Sequence, residues 1–175
     1  VQELALVESP DDLERAKERI KAIVREYYDR LRKRQFKPSE LAIHMTLGKE
    51  PEKYTKTTPQ HVKAARILEL LSGRTLKGGD IVSFVKVIPM SVEEIARRAE
   101  PPLEPGERER VAHELKKLVK GGYIDVLPIE LASREDIDID RYASLLESTF
   151  EQILDALGMS FSEVVGLTRL ESFMS

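Results

Sequence analysis

The sequence predicts an α+β fold, mainly helical, with a small sheet. Three observations carry this expectation. Long segments repeat apolar residues every three or four positions, as Leu13, Ala16, Ile20, Ile23, Tyr27 and Leu31 do. Shorter segments alternate or run β-branched, as in residues 41–47 and 81–88. Proline and glycine stand between these segments and set their ends. With 175 residues, 41% of them apolar, the chain can bury one real core and carry an appendage.

The elements follow in order. Ser9-Pro10-Asp11-Asp12 is a helix start, with a cap, a first-turn proline and acids at the positive end of the dipole. That helix must stop before Pro38. Leu41, Ile43, Met45 and Leu47 alternate as in a half-buried strand ending at Gly48, which makes His44 a packed structural histidine. Thr58-Pro59 opens a second helix and Gly73 closes it. Lys77-Gly78-Gly79-Asp80 is a turn, and Ile81 to Ile88 is a buried strand. Ser91 and Glu94 form a capping box on a short helix. Residues 100–106 read as a linker, Glu107 to Lys120 as a helix closed by Gly121-Gly122, and Tyr123 to Ile129 as a strand. Asp138 or Asp140 caps a helix with Tyr142, Leu145, Leu146, Thr149, Phe150, Ile153, Leu154 and Leu157 on its apolar side. Gly158 ends it, and Ser160 with Glu163 starts one more short helix.

Composition removes several classes of function. The absence of cysteine excludes a disulfide framework and thiolate metal sites. No apolar run approaches the length of a membrane span and no signal segment is visible, so a cytoplasmic protein without a membrane partner is expected. A start at Val1 rather than Met suggests a fragment or a processed product. The net charge of −3 conceals a gradient: residues 1–86 hold 18 Lys and Arg against 13 Asp and Glu, while residues 87–175 hold 10 against 18. Ten cations fall within residues 15–37. Such asymmetry suits a polyanion, and it equally suits a solvated helix face.

Catalytic patterns are missing. The chain has no Gly-rich phosphate loop, no Ser/His/Asp pattern and no His/Glu metal spacing. His44, His61 and His113 lie on different elements, and His113 reads as solvated on a charged helix. The acids of Glu135-Asp136-Ile137-Asp138-Ile139-Asp140 could ligate a divalent cation, but they more readily precede and cap a helix. Nothing pairs carboxylates as two-metal phosphoryl transfer requires. The expectation is therefore no catalytic residue, no metal and no cofactor in this chain.

The stretch Tyr54-Thr55-Lys56-Thr57-Thr58-Pro59-Gln60-His61-Val62-Lys63-Ala64-Ala65-Arg66 is the most pointed in the chain. It gathers cations, hydroxyls and a histidine around a helix start whose Pro59 fits the first helical position. Such a start offers open backbone N–H groups and a positive dipole end to a phosphate. Lys56, Lys63 and Arg66 add point charges. The bland readings are a helix-starting Pro59 and a core aromatic Tyr54.

These residues resemble the Tyr-x-x-x-x-Pro-x-His-Val-x-Ala-Ala block in the thumb of archaeal family B DNA polymerases. Other blocks follow in the family's order: Leu41-Ala42-Ile43-His44, Gly79-Asp80-Ile81-Val82, Pro128-Ile129-Glu130 and Asp138-Ile139-Asp140-Arg141-Tyr142. The resemblance covers residues 10–88 and 127–175. It implies a thumb domain of residues 1–88 and 127–160, a helical insertion at 89–126 without counterpart in the common thumb, and a C-terminal helix and tail at 161–175. It implies a grip on primer–template duplex, sequence-blind, through phosphates and the minor groove. The DNA-binding residues it points to are Tyr54, Lys56, Thr57, Thr58, Gln60, His61, Lys63 and Arg66. The family often has lysine directly after the tyrosine; here Thr55 stands there and Lys56 follows.

The family's palm carboxylates, and the Mg2+ they would hold, are absent. The chain would thus be an excised thumb, or the smaller chain of a polymerase encoded in two pieces, with palm and fingers as partners. The tail resembles the sliding-clamp binding box of these polymerases, with Leu170, Phe173 and Met174 at its apolar positions and Leu167 where glutamine is usual. Packing of the tail on its own domain is the alternative there. Two rival classes of function remain open at this level. Residues 91–126 resemble a winged-helix pattern, which would make a sequence-specific DNA-binding regulator. An accessory or scaffold subunit without DNA contact is the other.

Overall fold

The computed structural model describes residues 8–166. It divides into two compact units, one combining Val1–Phe36 with Ile139–Ser175 and the other formed by Lys37–Asp138. The architecture is α+β and mostly helical, with one small antiparallel sheet.

The first unit is helical. Helix α1 (Pro10–Arg32) begins where the sequence places it: Ser9 Oγ accepts from the Asp12 backbone N–H at 3.2 Å and Pro10 takes the first turn. Its buried stripe is Ala16, Ile20, Val24, Tyr28 and Leu31, whereas Ile23 and Tyr27 are exposed at 37% and 52%. The expected stripe through Ile23 and Tyr27 is therefore corrected by one position. Both ladders run from Ile20 to Leu31 at helical spacing, and only the tertiary partner selects between them. That partner is the long helix Ile139–Ala156, which α1 packs against within this unit. Leu154, Phe161, Val164 and Val165 close a core with Ile20, Val24 and Tyr28, flanked by Ala143, Leu146, Phe150, Leu157 and Met159. The Tyr28 and Phe161 rings meet edge to face at 5.8 Å. Leu145, expected on the apolar side, is 42% exposed. The helical turn at 161–166 starts as expected, with Ser160 Oγ accepting from the Glu163 N–H at 3.2 Å.

The second unit holds the sheet. Strands β1 (Ile43–Thr46), β2 (Ile81–Ser91) and β3 (Tyr123–Pro128) pair antiparallel in the order β1-β2-β3. Helix α2 (Gln60–Ser72) packs on β2 and β3 through Val62, Ala64, Ala65, Ile67, Leu68 and Leu71. It ends at Gly73, whose φ of 71° only glycine adopts without strain. Two local expectations change. Pro59 is the cap of α2 rather than its first residue, with an extended ψ of 160°. His44 is exposed instead of packed: β1 is an edge strand, and the register pairs His44 with Ser83, placing Nδ1 2.7 Å from Ser83 Oγ.

Residues 89–126 are woven into this unit. They supply the end of β2, the short helix α3 (Val92–Ala96), helix α4 (Pro105–Lys116) and the first four residues of β3. Met90 pairs with Ile124 and Ser91 with Tyr123, beyond a bulge in the register after Lys86. Helix α4 starts two residues earlier and stops four residues earlier than the sequence suggests, since Pro105 fits a first helical turn and Lys117 already caps the end. The final long helix is α5 (Ile139–Ala156), directly preceded by Asp138. Asp136, from the acidic cluster, is buried and held bidentately by Arg98, with Nη2 2.7 Å from Oδ1 and Nη1 on Oδ2. The Ser133 backbone N–H and hydroxyl also donate to Oδ2, at 2.7 and 2.9 Å. Burial pushes the Asp136 carboxyl up, but the Arg98 and Ser133 donors outweigh it and hold it below the ordinary range. Among the described residues, no helix is long and apolar enough to cross a membrane.

Candidate nucleic-acid interface

The stretch leading into α2 folds as an extended approach to a helix N-terminus. No side chain caps that start; the Pro59 carbonyl accepts from the Val62 and Lys63 N–H groups at 3.1 and 3.0 Å. Around it the candidate residues divide into three groups by environment.

Thr57, Thr58, Gln60 and Lys63 line an open groove of about 470 Å³. The rest of its lining comes from Pro89, Leu118, Val119, Lys120, Tyr123 and Asp125. Lys56 and Thr57 are exposed, while Thr58, Gln60 and Lys63 are half-buried. No ion pair among the described residues engages Lys56, Lys63 or Lys120. An unpaired lysine on a groove wall is a point charge available to an anion. Among the described residues, Gln60 Oε1 is buried without a hydrogen-bond partner.

Tyr54 and His61 form the second group, and they face each other. Their rings meet edge-on at 6.5 Å, and Lys49 Nζ sits 4.7 Å from the Tyr54 ring centroid as a cation–π contact. His61 is 9% exposed, and burial lowers its pKa below the ordinary 6.5, so the imidazole is neutral at pH 7.

Arg66 is the third case. Its Nη1 lies 3.4 Å from Glu69 Oε1 and its Nη2 3.9 Å from Glu114 Oε2, tying α2 to α4. Glu69 also accepts the Leu76 N–H at 3.0 Å, so Arg66 belongs to a local network behind the helix start.

Of this lining the sequence singles out Thr57, Thr58, Gln60 and Lys63, and not Lys120 or Tyr123. Lys120 and Tyr123 stand beside Gly121-Gly122, a pair legible only as a helix stop. Their place in the groove follows from the β2–β3 register, which local spacing does not encode. The expected clamp-binding residues Leu167, Leu170, Phe173 and Met174 lie outside the described residues. Among the described residues, no three of His, Asp and Glu come together as a group that could hold a metal ion.

The chain is similar over nearly its whole length to three archaeal proteins, each named DNA polymerase 1. It is 32% identical to that of Sulfolobus acidocaldarius over 170 residues, 97% of this chain and 16% of the relative. With that of Sulfurisphaera ohwakuensis it shares 34% over 167 residues, 95% of this chain and 15% of the relative. The alignment to that of Saccharolobus solfataricus, 32% identical over 176 residues, takes in 100% of this chain, residues 89–126 included, and 16% of the relative. The chain thus spans about one sixth of the length of these relatives. Residues 2–156 also match the model of DNA polymerase family B, and the chain belongs to that family.

Proposed function

We propose that this chain is the thumb portion of a DNA-directed DNA polymerase, gripping primer–template duplex behind the active site during DNA replication. The observation that carries this reading is the groove at the start of α2. It combines Lys63 and two threonine residues with an uncapped helix N-terminus, with Lys56 next to it in sequence, and neither lysine has an ion-pair partner among the described residues. All of these can address phosphate, as a sequence-blind grip requires. The nucleotidyl transfer itself belongs to the palm and fingers, in the same or another chain. This chain then positions duplex and contributes no reacting group. Tyr54, His61 and Arg66 serve the grip by holding the helix start in place.

The test is duplex binding across a salt series with several unrelated sequences. The reading expects equal affinity for all of them and a steep fall with salt. Marked preference for one sequence would instead favour a regulator.

A sliding clamp is the further partner of this reading, taken through Leu167, Leu170, Phe173 and Met174. Leu170, Phe173 and Met174 stand at the apolar positions of the box and would plug a pocket on the clamp, with Leu167 at its glutamine position. Phe173→Ala should weaken clamp affinity at least tenfold in a surface-binding assay. An unchanged affinity would remove the clamp from the partners.

A further inference from the structure

Residues 89–126 bring two side chains to the groove that the motif around Pro59 does not contain. Lys120 is exposed and without a partner among the described residues, and Tyr123 is 62% exposed. Their placement is built, not incidental. Gly121 and Gly122 have φ values of 89° and 76°, a reversal that residues with a side chain adopt only under strain. The Val92 N–H donates to the Gly122 carbonyl at 3.2 Å, and Ser91 pairs with Tyr123 at the end of the β2–β3 ladder. The turn is thereby pinned to the sheet, with Lys120 before it and Tyr123 after it. Both line the same groove as Thr57, Thr58, Gln60 and Lys63.

We infer that Lys120 and Tyr123 form the second wall of a backbone-binding cleft for duplex DNA, Lys120 as a phosphate contact and the Tyr123 hydroxyl as a donor to phosphate or sugar. This inference rests on the duplex-gripping reading above. Charge argues for a polyanion as occupant: Lys63 and Lys120 both line the groove without carboxylate partners among the described residues. The one acid of the lining, Asp125, is already engaged within the fold. An exposed tyrosine beside unpaired lysines is also a common way to hold a sugar–phosphate strand without reading its bases. The segment would then be half of the grip rather than an appendage to it.

The experiment compares the unaltered 175-residue chain with Lys63→Ala, Lys120→Ala, Lys120→Arg, Tyr123→Phe and Tyr123→Ala. Each is titrated with labelled primer–template duplex over a salt series, and folding is checked by thermal midpoint. The substituted groove residues on the second wall are exposed, so the midpoint should stay put. Lys120→Ala should flatten the slope of log affinity against log salt by about one, the signature of one lost phosphate contact, and Lys120→Arg should restore it. Tyr123→Phe should weaken binding severalfold at every salt with the slope unchanged, and Tyr123→Ala should weaken it further. If Lys63→Ala flattens the slope while Lys120→Ala and Tyr123→Ala leave affinity untouched, the second wall is overturned and the duplex grip stands. If the unaltered chain binds no duplex at low salt, or no lysine variant alters the slope, both fall together.

Discussion

At the residue scale, the candidate side chains around the start of α2 differ in their environments. Among the described residues, Lys56 and Lys63 have no ion-pair partner, whereas Arg66 from the same stretch is bound to Glu69 and Glu114. Replacing Lys56 and Lys63 together by alanine should weaken duplex binding for every sequence and flatten the salt slope by about two. A slope unchanged in the double variant would show that neither lysine touches phosphate. His61 makes a different prediction. Its folded pKa lies below the ordinary 6.5 because burial penalises the cation. Above that value the neutral form prevails in both folded and unfolded chains, and there is no penalty. As the pH falls below 6.5, the unfolded chain takes up the proton more readily and stability is lost. Urea midpoints should therefore decline from pH 7 to about pH 5.5 in the unaltered chain, and His61→Phe, which keeps a ring against Tyr54, should remove much of that decline. Equal declines in both chains would contradict a buried neutral imidazole.

At the element scale, local signals were legible and partner choice was not. Ser9, Pro10, Gly73 and Ser160 mark ends that the structure keeps, because caps and glycine φ are settled within a few residues. The buried face of α1 was misread as Ile23 and Tyr27 because two helical ladders were open and α5, more than a hundred positions away, selects Val24 and Tyr28. His44 was misread for a related reason: alternation marks a strand but does not say that the strand lies on an edge. The acids near Asp138 read as a cap, yet Asp136 is a buried partner of Arg98, a contact between residues 38 positions apart that spacing cannot reveal. Asp136→Ala would leave the Arg98 charge unpaired and should cost about 3 kcal/mol, readable in a urea titration. The double change Arg98→Met with Asp136→Leu should recover much of that loss, since it leaves no unpaired charge. The Asp136 contribution is complete above its ordinary 3.8 and fades as the pH falls through and below that value, because its folded pKa is depressed. A single variant as stable as the unaltered chain would remove the ion pair from the forces holding this unit together.

At the scale of the whole molecule, the charge gradient has a more local meaning than its sum suggests. Much of the cationic run in residues 15–37 is answered inside its own unit. Arg15, Lys17 and Lys21 pair with Asp12, Glu14 and Glu18, Arg32 pairs with Asp140, and Arg25 donates to the Val164 carbonyl at 2.9 Å. Exposed pairs of this kind describe a solvated helix face. Among the described residues, Lys63 and Lys120 line the groove and neither has an ion-pair partner. Family membership was legible from the order of short blocks around Pro59. The contribution of residues 89–126 was not, because it depends on strand register.

The measurement that bears most directly on the duplex grip is the affinity of this chain for labelled primer–template duplex, taken over a salt series and across several unrelated sequences. The grip predicts one common affinity that falls steeply and linearly on a log–log plot, with a slope that flattens when Lys56 and Lys63 are removed. Affinity that depends on sequence, or that salt leaves unmoved, would contradict it.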